Sequence, residues 1–178
     1  MSCNQVKEKK WYVLHTRSKF ENVVKNQLLK KDINVFLPLI LKLSKRKDRK
    51  KTIEVPMFPG YVFVQCDSSP ESRLKILKTI GAVKLIGTNK GPVSVKTEAV
   101  ESLILLSKSK EKIFTGHGYK KGQPVIITKG GMTGVKGIFE KETGKMRVIV
   151  QIDILGRYAY TEVNEADIEF LDSTTIIT

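Results

Sequence analysis

The sequence predicts an α+β protein in which an antiparallel α/β sandwich is followed by a small five-stranded β-barrel. Strand-like and helix-like segments alternate up to about residue 106, whereas short β-branched runs separated by glycines follow residue 119. An interior glycine costs a helix roughly 1 kcal/mol, so the second region favours strands joined by tight turns. The predicted domains are therefore residues 1–106 and 120–178, joined by a polar, flexible linker at 107–119.

The first strand and the first helix are predicted from adjacent segments. Residues 11–16 are aromatic and β-branched, which is typical of a strand. Ser18 and Glu21 then have the Ser-x-x-Glu spacing of a capping box, so we expect a helix to begin at Ser18. Residues 35–41 follow this helix and predict a second strand.

A second helix is predicted near the middle of the N-terminal region. Ser69 or Pro70 begins it, because both residue types are favoured at helix starts. We expect Leu74 and Leu77, three positions apart, to face the core.

The segment 57–64, Met-Phe-Pro-Gly-Tyr-Val-Phe-Val, predicts a sharp corner that leads into a strand. Proline fixes φ and glycine admits backbone angles that other residues avoid, so the chain can turn at Pro59 and Gly60. In the strand, Tyr61 and Phe63 share one face, opposite the valines at positions 62 and 64. Because both faces are apolar, we expect one to pack on the helices and the ring-bearing face to meet a partner. A sheet buried on both sides is the alternative.

The charge of the chain is segregated. Residues 1–113, with 24 basic and 10 acidic side chains, account for the whole net charge of +14. Residues 114–178 hold 8 basic and 8 acidic side chains. Seven of the basic residues lie within 42–51, which we interpret as a long hairpin tip or, alternatively, as a merely solvated loop. Segregated positive charge indicates that the first domain faces a polyanion and that the second does not.

Several classes of protein are disfavoured by the composition. The longest apolar run, 35–41, contains Pro38 and is far shorter than the ~20 residues of a membrane span, and the N-terminus lacks a signal-peptide core. Two cysteines and two histidines without metal-ligand spacing predict neither a zinc site nor a disulfide. We find no catalytic constellation and no nucleotide-binding loop. We therefore expect a cytoplasmic, non-enzymatic protein without a cofactor.

These motifs, taken together, resemble the NusG family of transcription elongation factors. The strand at 11–13 and the Phe-Pro-Gly-Tyr corner at 58–61 are similar to its N-terminal (NGN) domain. The segments at 121–127, 130–134 and 154–157 are similar to its C-terminal KOW domain. The resemblance covers residues 10–172, and both motifs occur in the family's order.

The resemblance implies that the N-terminal domain docks on the clamp helices of the β′ subunit of RNA polymerase and suppresses pausing. By position, the docking depression would include Phe58, Tyr61 and Phe63, with His15 beside them at the end of the first strand. Ser72 and Arg73 occupy the place where relatives touch the gate loop of the β subunit, although no specific motif supports that contact.

The resemblance also implies a nucleic-acid contact with non-template or upstream DNA, or with nascent RNA. Basic side chains beside the docking depression would approach the phosphates, which gives affinity without sequence information. They are Arg17, Lys19 and Lys30 near the first helix, and Lys45, Arg46, Lys47, Arg49, Lys50 and Lys51 on the hairpin tip. Asn26 or Gln27 would supply any base preference.

For the KOW domain, the resemblance implies recruitment of Rho or a small-subunit ribosomal protein. Leu155 matches an exposed apolar contact position, although a leucine before a turn glycine is equally compatible with the core. The glycines disfavour refolding into helices, so we expect a permanent barrel. We also expect a monomer.

Three roles are compatible with this resemblance. The very basic hairpin tip, the short linker and Phe63 favour a specialised, UpxY-like antiterminator of polysaccharide-type operons. A general, housekeeping NusG is the first alternative. A KOW-type ribosomal or RNA-binding protein is the second, although its barrel should then itself be basic.

Overall fold

The computed structural model describes residues 8–43 and 51–171, so Cys3 and most of the predicted hairpin tip lie outside the described residues. Three helices and fifteen strands are described within these ranges. In chain order they are β1 (Lys10–Thr16), α1 (Glu21–Leu29), β2 (Asn34–Phe36), β3 (Leu39–Leu43), β4 (Thr52–Pro56), β5 (Tyr61–Cys66), α2 (Pro70–Leu77), β6 (Ala82–Leu85), β7 (Gly87–Thr88), β8 (Gly91–Pro92), β9 (Ser94–Val95), α3 (Thr97–Lys108), β10 (Phe114–His117), β11 (Pro124–Ile127), β12 (Lys136–Glu142), β13 (Lys145–Ile152), β14 (Arg157–Val163) and β15 (Ile168–Phe170).

The chain divides into two compact units. Met1–Leu37 and Pro59–Val95 form the first, and Pro38–Phe58 and Lys96–Thr178 form the second. The predicted α+β class is confirmed, since helices and an antiparallel sheet precede an all-β sheet. The domain boundaries at residues 106 and 120 stay predictions.

The first unit is an antiparallel sheet with two helices on one face. Its strands follow the order β2-β5-β1-β6, and β9 also pairs with β1. Side chains from β1, β5, α1 and α2 form one buried cluster between the sheet and the helices. Its members are Tyr12, Leu14, Val24, Leu28, Ile33, Val64, Cys66 and Ile76. Burial raises the pKa of the Cys66 thiol, as expected for a small core residue.

The prediction of a single strand at 35–41 is wrong, because the structure has two strands there. β2 pairs with β5, whereas β3 pairs with β4 in a separate hairpin. The break falls at Leu37 and Pro38. Since proline has no N–H to donate to a ladder, it marks the point where the chain leaves one sheet for the other. The Pro38 carbonyl instead accepts from the Met57 N–H, at 2.8 Å.

The start of α2 is confirmed, but its inward face is not. The Ser69 hydroxyl accepts from the Ser72 N–H at 3.2 Å, and Pro70 is the first helical residue. The predicted inward positions are wrong, because Leu74 and Leu77 are exposed and Ile76 is fully buried. A helix of eight residues offers few repeats, so the apolar positions at 74, 76 and 77 do not define a face by spacing alone.

The ends of α1 and α2 are tied together by two lysines. The Lys31 ammonium donates to the Lys75 carbonyl at 3.1 Å and to the Thr79 hydroxyl at 2.7 Å. In return, the Lys75 ammonium donates to the Lys31 carbonyl at 2.6 Å. Each cation therefore satisfies carbonyl groups at the end of the other helix, where the negative end of the helix dipole lies.

The second unit contains the β3–β4 hairpin, α3 and a sheet in the order β10-β14-β13-β12-β11-β15. This sheet has six strands where the sequence predicted five. The extra strand, β10, comes from the predicted linker and pairs with β14 in antiparallel register. Segment 114–117 is therefore not a free tether. α3 packs on β12 and β13, where the Ser102 hydroxyl accepts from the Lys136 N–H at 2.9 Å.

Candidate functional site

The Phe-Pro-Gly-Tyr corner is fixed by two backbone hydrogen bonds of Gly60. Its N–H donates to a carboxylate oxygen of Glu21 at 2.8 Å, and its carbonyl accepts from the Thr16 N–H at 2.9 Å. Gly60 has a φ of +82°, which side chains with a Cβ rarely adopt. The sequence prediction of a tight turn at this glycine is therefore confirmed, and the turn joins the end of β1 to the start of β5.

The predicted capping box at Ser18 and Glu21 is wrong. α1 begins at Glu21 without any side-chain cap, and Lys19 in the preceding turn has a φ of 66°. Glu21 is 7% exposed and uses its carboxylate for the Gly60 N–H instead. Sequence reasoning missed this positioning role, because its partner lies 39 residues away along the chain.

The ring-bearing face of β5 is the face that lies opposite α1 and α2. His15, Val13 and Trp11 of β1 pair with Tyr61, Phe63 and Gln65 of β5, and side chains of paired residues share a face. The alternate residues Tyr12, Leu14 and Val64 belong to the helix-packed cluster. The predicted separation of Tyr61 and Phe63 from the helices is therefore confirmed, but the alternative of a sheet buried on both sides holds at Phe63, which is 0% exposed.

The four predicted docking residues differ in accessibility. Phe63 is 0% and Phe58 1% exposed, and the Phe63 ring lies 6.1 Å from that of Phe36. His15 and Tyr61 are only half-buried, with ring centroids 5.3 Å apart. Of the four, His15 and Tyr61 therefore offer the reachable surface, and the docking role of all four stays a prediction.

His15 also carries an unpaired polar atom. Its Nδ1 is buried and has no hydrogen-bond partner among the described residues. A buried polar atom without a partner costs about 1–3 kcal/mol.

The predicted nucleic-acid contacts of the first unit are exposed. Arg17 and Lys19 lie in the turn between β1 and α1, whereas Lys30 follows the last residue of α1. The Arg17 N–H donates to the Gly81 carbonyl at 2.8 Å, which fixes the backbone of this turn. The turn therefore presents two cations within four residues of His15 along the chain, and the third lies at the far end of the helix. Asn26 is exposed and Gln27 is half-buried.

The remaining basic positions of the prediction fall on the hairpin. Lys51 is exposed at the start of β4. Lys45, Arg46, Lys47, Arg49 and Lys50 lie outside the described residues.

Leu155 lies in a short 3-10 turn that precedes Gly156. Its side chain is half-buried, and Gly156 has a φ of 55°. The turn is braced by residues of the predicted linker. The Tyr119 hydroxyl donates to the Asp153 carbonyl at 3.0 Å, and the Gly118 N–H donates to the Gly156 carbonyl at 2.9 Å. Leu155 thus lies on a turn whose backbone is fixed by these two hydrogen bonds, and its contact with a partner protein stays a prediction.

Within residues 8–43 and 51–171, no group of three or more histidine, cysteine or acidic side chains is placed to hold a metal ion. The helices described there include none long and apolar enough to cross a membrane.

The half-buried rings and the exposed cations are the features from which we predict a binding surface, and comparison with known proteins identifies the class of the protein. A family model described as "Transcription termination factor nusG" matches residues 9–104, more than half of the chain. The chain therefore belongs to the NusG family of transcription termination/antitermination factors, which are not enzymes.

Individual relatives match along almost the whole chain. The transcription termination/antitermination protein NusG of Staphylococcus aureus is 29% identical and covers 94% of this chain and 98% of its own length. The protein of the same name from Borreliella burgdorferi is 28% identical, with 89% and 97% covered. Among solved structures, "Domain interaction in Thermotoga maritima NusG" is 23% identical, covers 93% of this chain and 98% of its own, and has a TM-score of 0.49.

Proposed function

We propose that this chain is a NusG-type transcription factor that docks on the β′ clamp helices of RNA polymerase through the accessible end of its first sheet. The single observation that carries the proposal is the fixed corner at Gly60. It sets the half-buried Tyr61 ring against His15, on the sheet face opposite the helices. Aromatic side chains at such positions are typical energetic centres of interfaces.

The neighbouring cations give this surface its second role. Arg17 and Lys19 are exposed in the turn that follows β1, so they would contact phosphates of DNA or nascent RNA held at the polymerase. Lys30 is exposed as well and would extend this contact, and the exposed Lys51 of the second unit would contact nucleic acid on its own. Contact of Ser72 and Arg73, both half-buried, with the β gate loop belongs to the same proposal.

For the second unit, we propose that Leu155 contacts a protein partner such as Rho or a small-subunit ribosomal protein. The half-buried leucine is on a turn braced by Tyr119, so it offers apolar surface at a fixed position. Leu155→Ser should weaken capture of the purified partner while Tyr61→Ala leaves that capture unchanged. Equal capture by the Leu155 variant would contradict this contact.

The docking proposal is tested with Tyr61→Ala in the full-length chain, titrated against purified polymerase. Removing a ring from an interface centre should weaken binding by about 2 kcal/mol or more, close to thirtyfold. Tyr119→Ala is the matched control, because that tyrosine is 70% exposed in the other unit. Wild-type affinity of the Tyr61 variant would contradict the docking surface.

Phe63→Ala is unsuitable for this test. The ring is fully buried, so its removal should cost about 3–5 kcal/mol of folding stability and confuse binding with unfolding.

The general role is the one we favour, since the relatives that match nearly the full length carry the name of the termination/antitermination factor itself. A specialised antiterminator of polysaccharide-type operons remains the second candidate, and the seven basic residues within 42–51 are the observation that favours it. Mapping the genomic positions of the tagged chain in its native host separates the two. Signal across most transcribed genes supports the general role, a few operons support the specialised role, and ribosomal subunits without polymerase contradict both.

A further inference from the structure

The outer side of α2 and the chain after it carry four exposed apolar side chains at a spacing of three residues. Leu74, Leu77, Ile80 and Val83 are 52%, 41%, 68% and 48% exposed. Scattered exposed apolar residues are normal at protein surfaces, but four successive ones at a regular spacing make a stripe. We call these four residues the α2 stripe.

Backbone hydrogen bonds continue the turns of α2 beyond its last residue. The Lys78 N–H donates to the Leu74 carbonyl, and the Thr79 N–H donates to the Ile76 carbonyl. The Ala82 N–H then donates to the Thr79 carbonyl, so the chain continues to turn beyond the helix. Ile76 and Thr79 are buried on the inner side. The exposed positions 74, 77 and 80 are thus separated along these turns by the buried positions 76 and 79.

A β-bulge turns the last member of the stripe outward. In the ladder between β1 and β6, His15 is opposite Lys84 and Thr16 is opposite Ala82, so Val83 is the extra residue. A bulged residue is left out of the pairing and re-aims its side chain. Val83 is consequently exposed at an edge strand of the sheet, whereas Leu85 packs on the core.

The α2 stripe lies in a positively charged segment. Residues 72–97 contain six basic side chains and no acidic one. Lys75 and Lys78, which lie between the stripe residues along the chain, are both exposed. The Lys75 ammonium group donates to the Lys31 carbonyl at 2.6 Å. An apolar stripe among cations is complementary to apolar side chains among anions.

We propose that the α2 stripe is a docking surface for an acidic amphipathic segment of a partner protein. The apolar side chains of such a segment would cover the stripe, and its carboxylates would meet the surrounding lysines. Charge complementarity selects this occupant. A second copy of this chain would place lysines against lysines, and a nucleic acid would leave the leucines and isoleucine exposed to water.

The test uses a defined peptide probe and the full-length chain. The probe is a helical peptide of about 16 residues with leucine at every third or fourth position and glutamate at the others. Titration by fluorescence anisotropy should give saturable binding. Leu77→Ser and Ile80→Ser should each weaken it about tenfold, because each removes an apolar side chain from the contact.

Two variants serve as controls. Leu41→Ser changes a leucine that is 67% exposed on the hairpin of the other unit, and it should bind the probe as the wild type does. Tyr61→Ala should also bind normally, so failure of polymerase docking and failure of this proposal are distinguishable. Unchanged far-UV circular dichroism would exclude misfolding as the cause of weaker binding.

Four outcomes would overturn the proposal. They are absence of probe binding, equal binding of a peptide in which lysine replaces glutamate, equal binding of a sequence-scrambled acidic peptide, and probe binding that survives both serine substitutions. A concentration-dependent dimer that Ile80→Ser abolishes would also overturn it, since the occupant would then be a second copy. Preferential binding of the stripe to anionic lipid vesicles would also overturn the proposal, since the occupant would then be a membrane surface.

Discussion

Three basic side chains of the second sheet contact carboxylates, whereas three basic side chains around α1 in the first unit do not. In the second unit, Lys120 pairs with Glu140 at 2.7 Å and Lys145 pairs with Glu162 at 2.8 Å, and Arg147 contacts Glu142. Arg147 also lies over the Tyr160 ring, 4.8 Å from its centroid. In the first unit, Arg17, Lys19 and Lys30 form no ion pair with any described carboxylate.

This difference gives a structural basis to the segregation of charge in the sequence. A cation that already contacts a glutamate offers little to an incoming phosphate, since the two anions compete for it. Unpaired cations keep their full attraction for a polyanion, subject to screening by salt. Three cations of the second sheet are thus compensated by neighbouring carboxylates, whereas the three cations around α1 are not.

The largest expected effect is on nucleic-acid binding. Replacing Arg17, Lys19 and Lys30 together by Gln should flatten the salt dependence of single-stranded DNA binding by about two slope units, at about 0.7 per lost phosphate contact. Replacing Lys120, Lys145 and Arg147 by Gln removes the same formal charge and should leave the slope nearly unchanged. Binding is measured by anisotropy across a salt series. Equal slopes in the two triple variants would contradict the proposed difference between the two sets of cations.

An intermediate effect is expected from the acid that holds the corner. Glu21→Ala leaves the Gly60 N–H without its carboxylate and should lower the free energy of unfolding by about 1–3 kcal/mol. Glu21→Gln keeps an acceptor and should cost less. Trp11, the single tryptophan, lies in the first unit and reports its urea unfolding by fluorescence. Identical unfolding of both variants and the wild type would show that the corner does not depend on Glu21.

The smallest effect is expected for an ion pair of the second sheet. The hydrogen bond to Glu140 raises the pKa of Lys120 above its ordinary value, despite partial desolvation. The stabilisation by this pair is therefore complete at neutral pH, and it is lost as the pH rises through the raised pKa. The urea midpoint of the wild type should exceed that of Glu140→Gln at neutral pH and approach it under strongly alkaline conditions. A difference that is unchanged at high pH would contradict this origin.

The features that the sequence predicted correctly are local ones. The aromatic strand β1, the corner at Gly60 and the division of β5 into two faces depend on φ preferences and on the two-residue period of a strand. Each of these can be read within fewer than ten residues.

The features that the sequence could not provide depend on distant partners. Glu21 has the spacing of a capping-box residue, yet its carboxylate accepts a hydrogen bond from the Gly60 N–H. The two groups come close together only when β1 and β5 have paired. Segment 114–117 is too polar and glycine-rich to be predicted as a strand. It forms one because its backbone pairs with β14. Burial of Phe63, which removes it from the reachable surface, is likewise a property of the folded chain.

The pairing of β10 with β14 has a consequence for how this protein can be divided. β10 covers one edge of a seven-residue strand whose other edge is occupied by β13. A C-terminal fragment that starts at residue 120 would lack β10 and leave that edge open, a template for pairing between molecules. Such a fragment should aggregate, whereas one that starts before Lys112, whose carbonyl accepts from the Thr161 hydroxyl, keeps its edge protection.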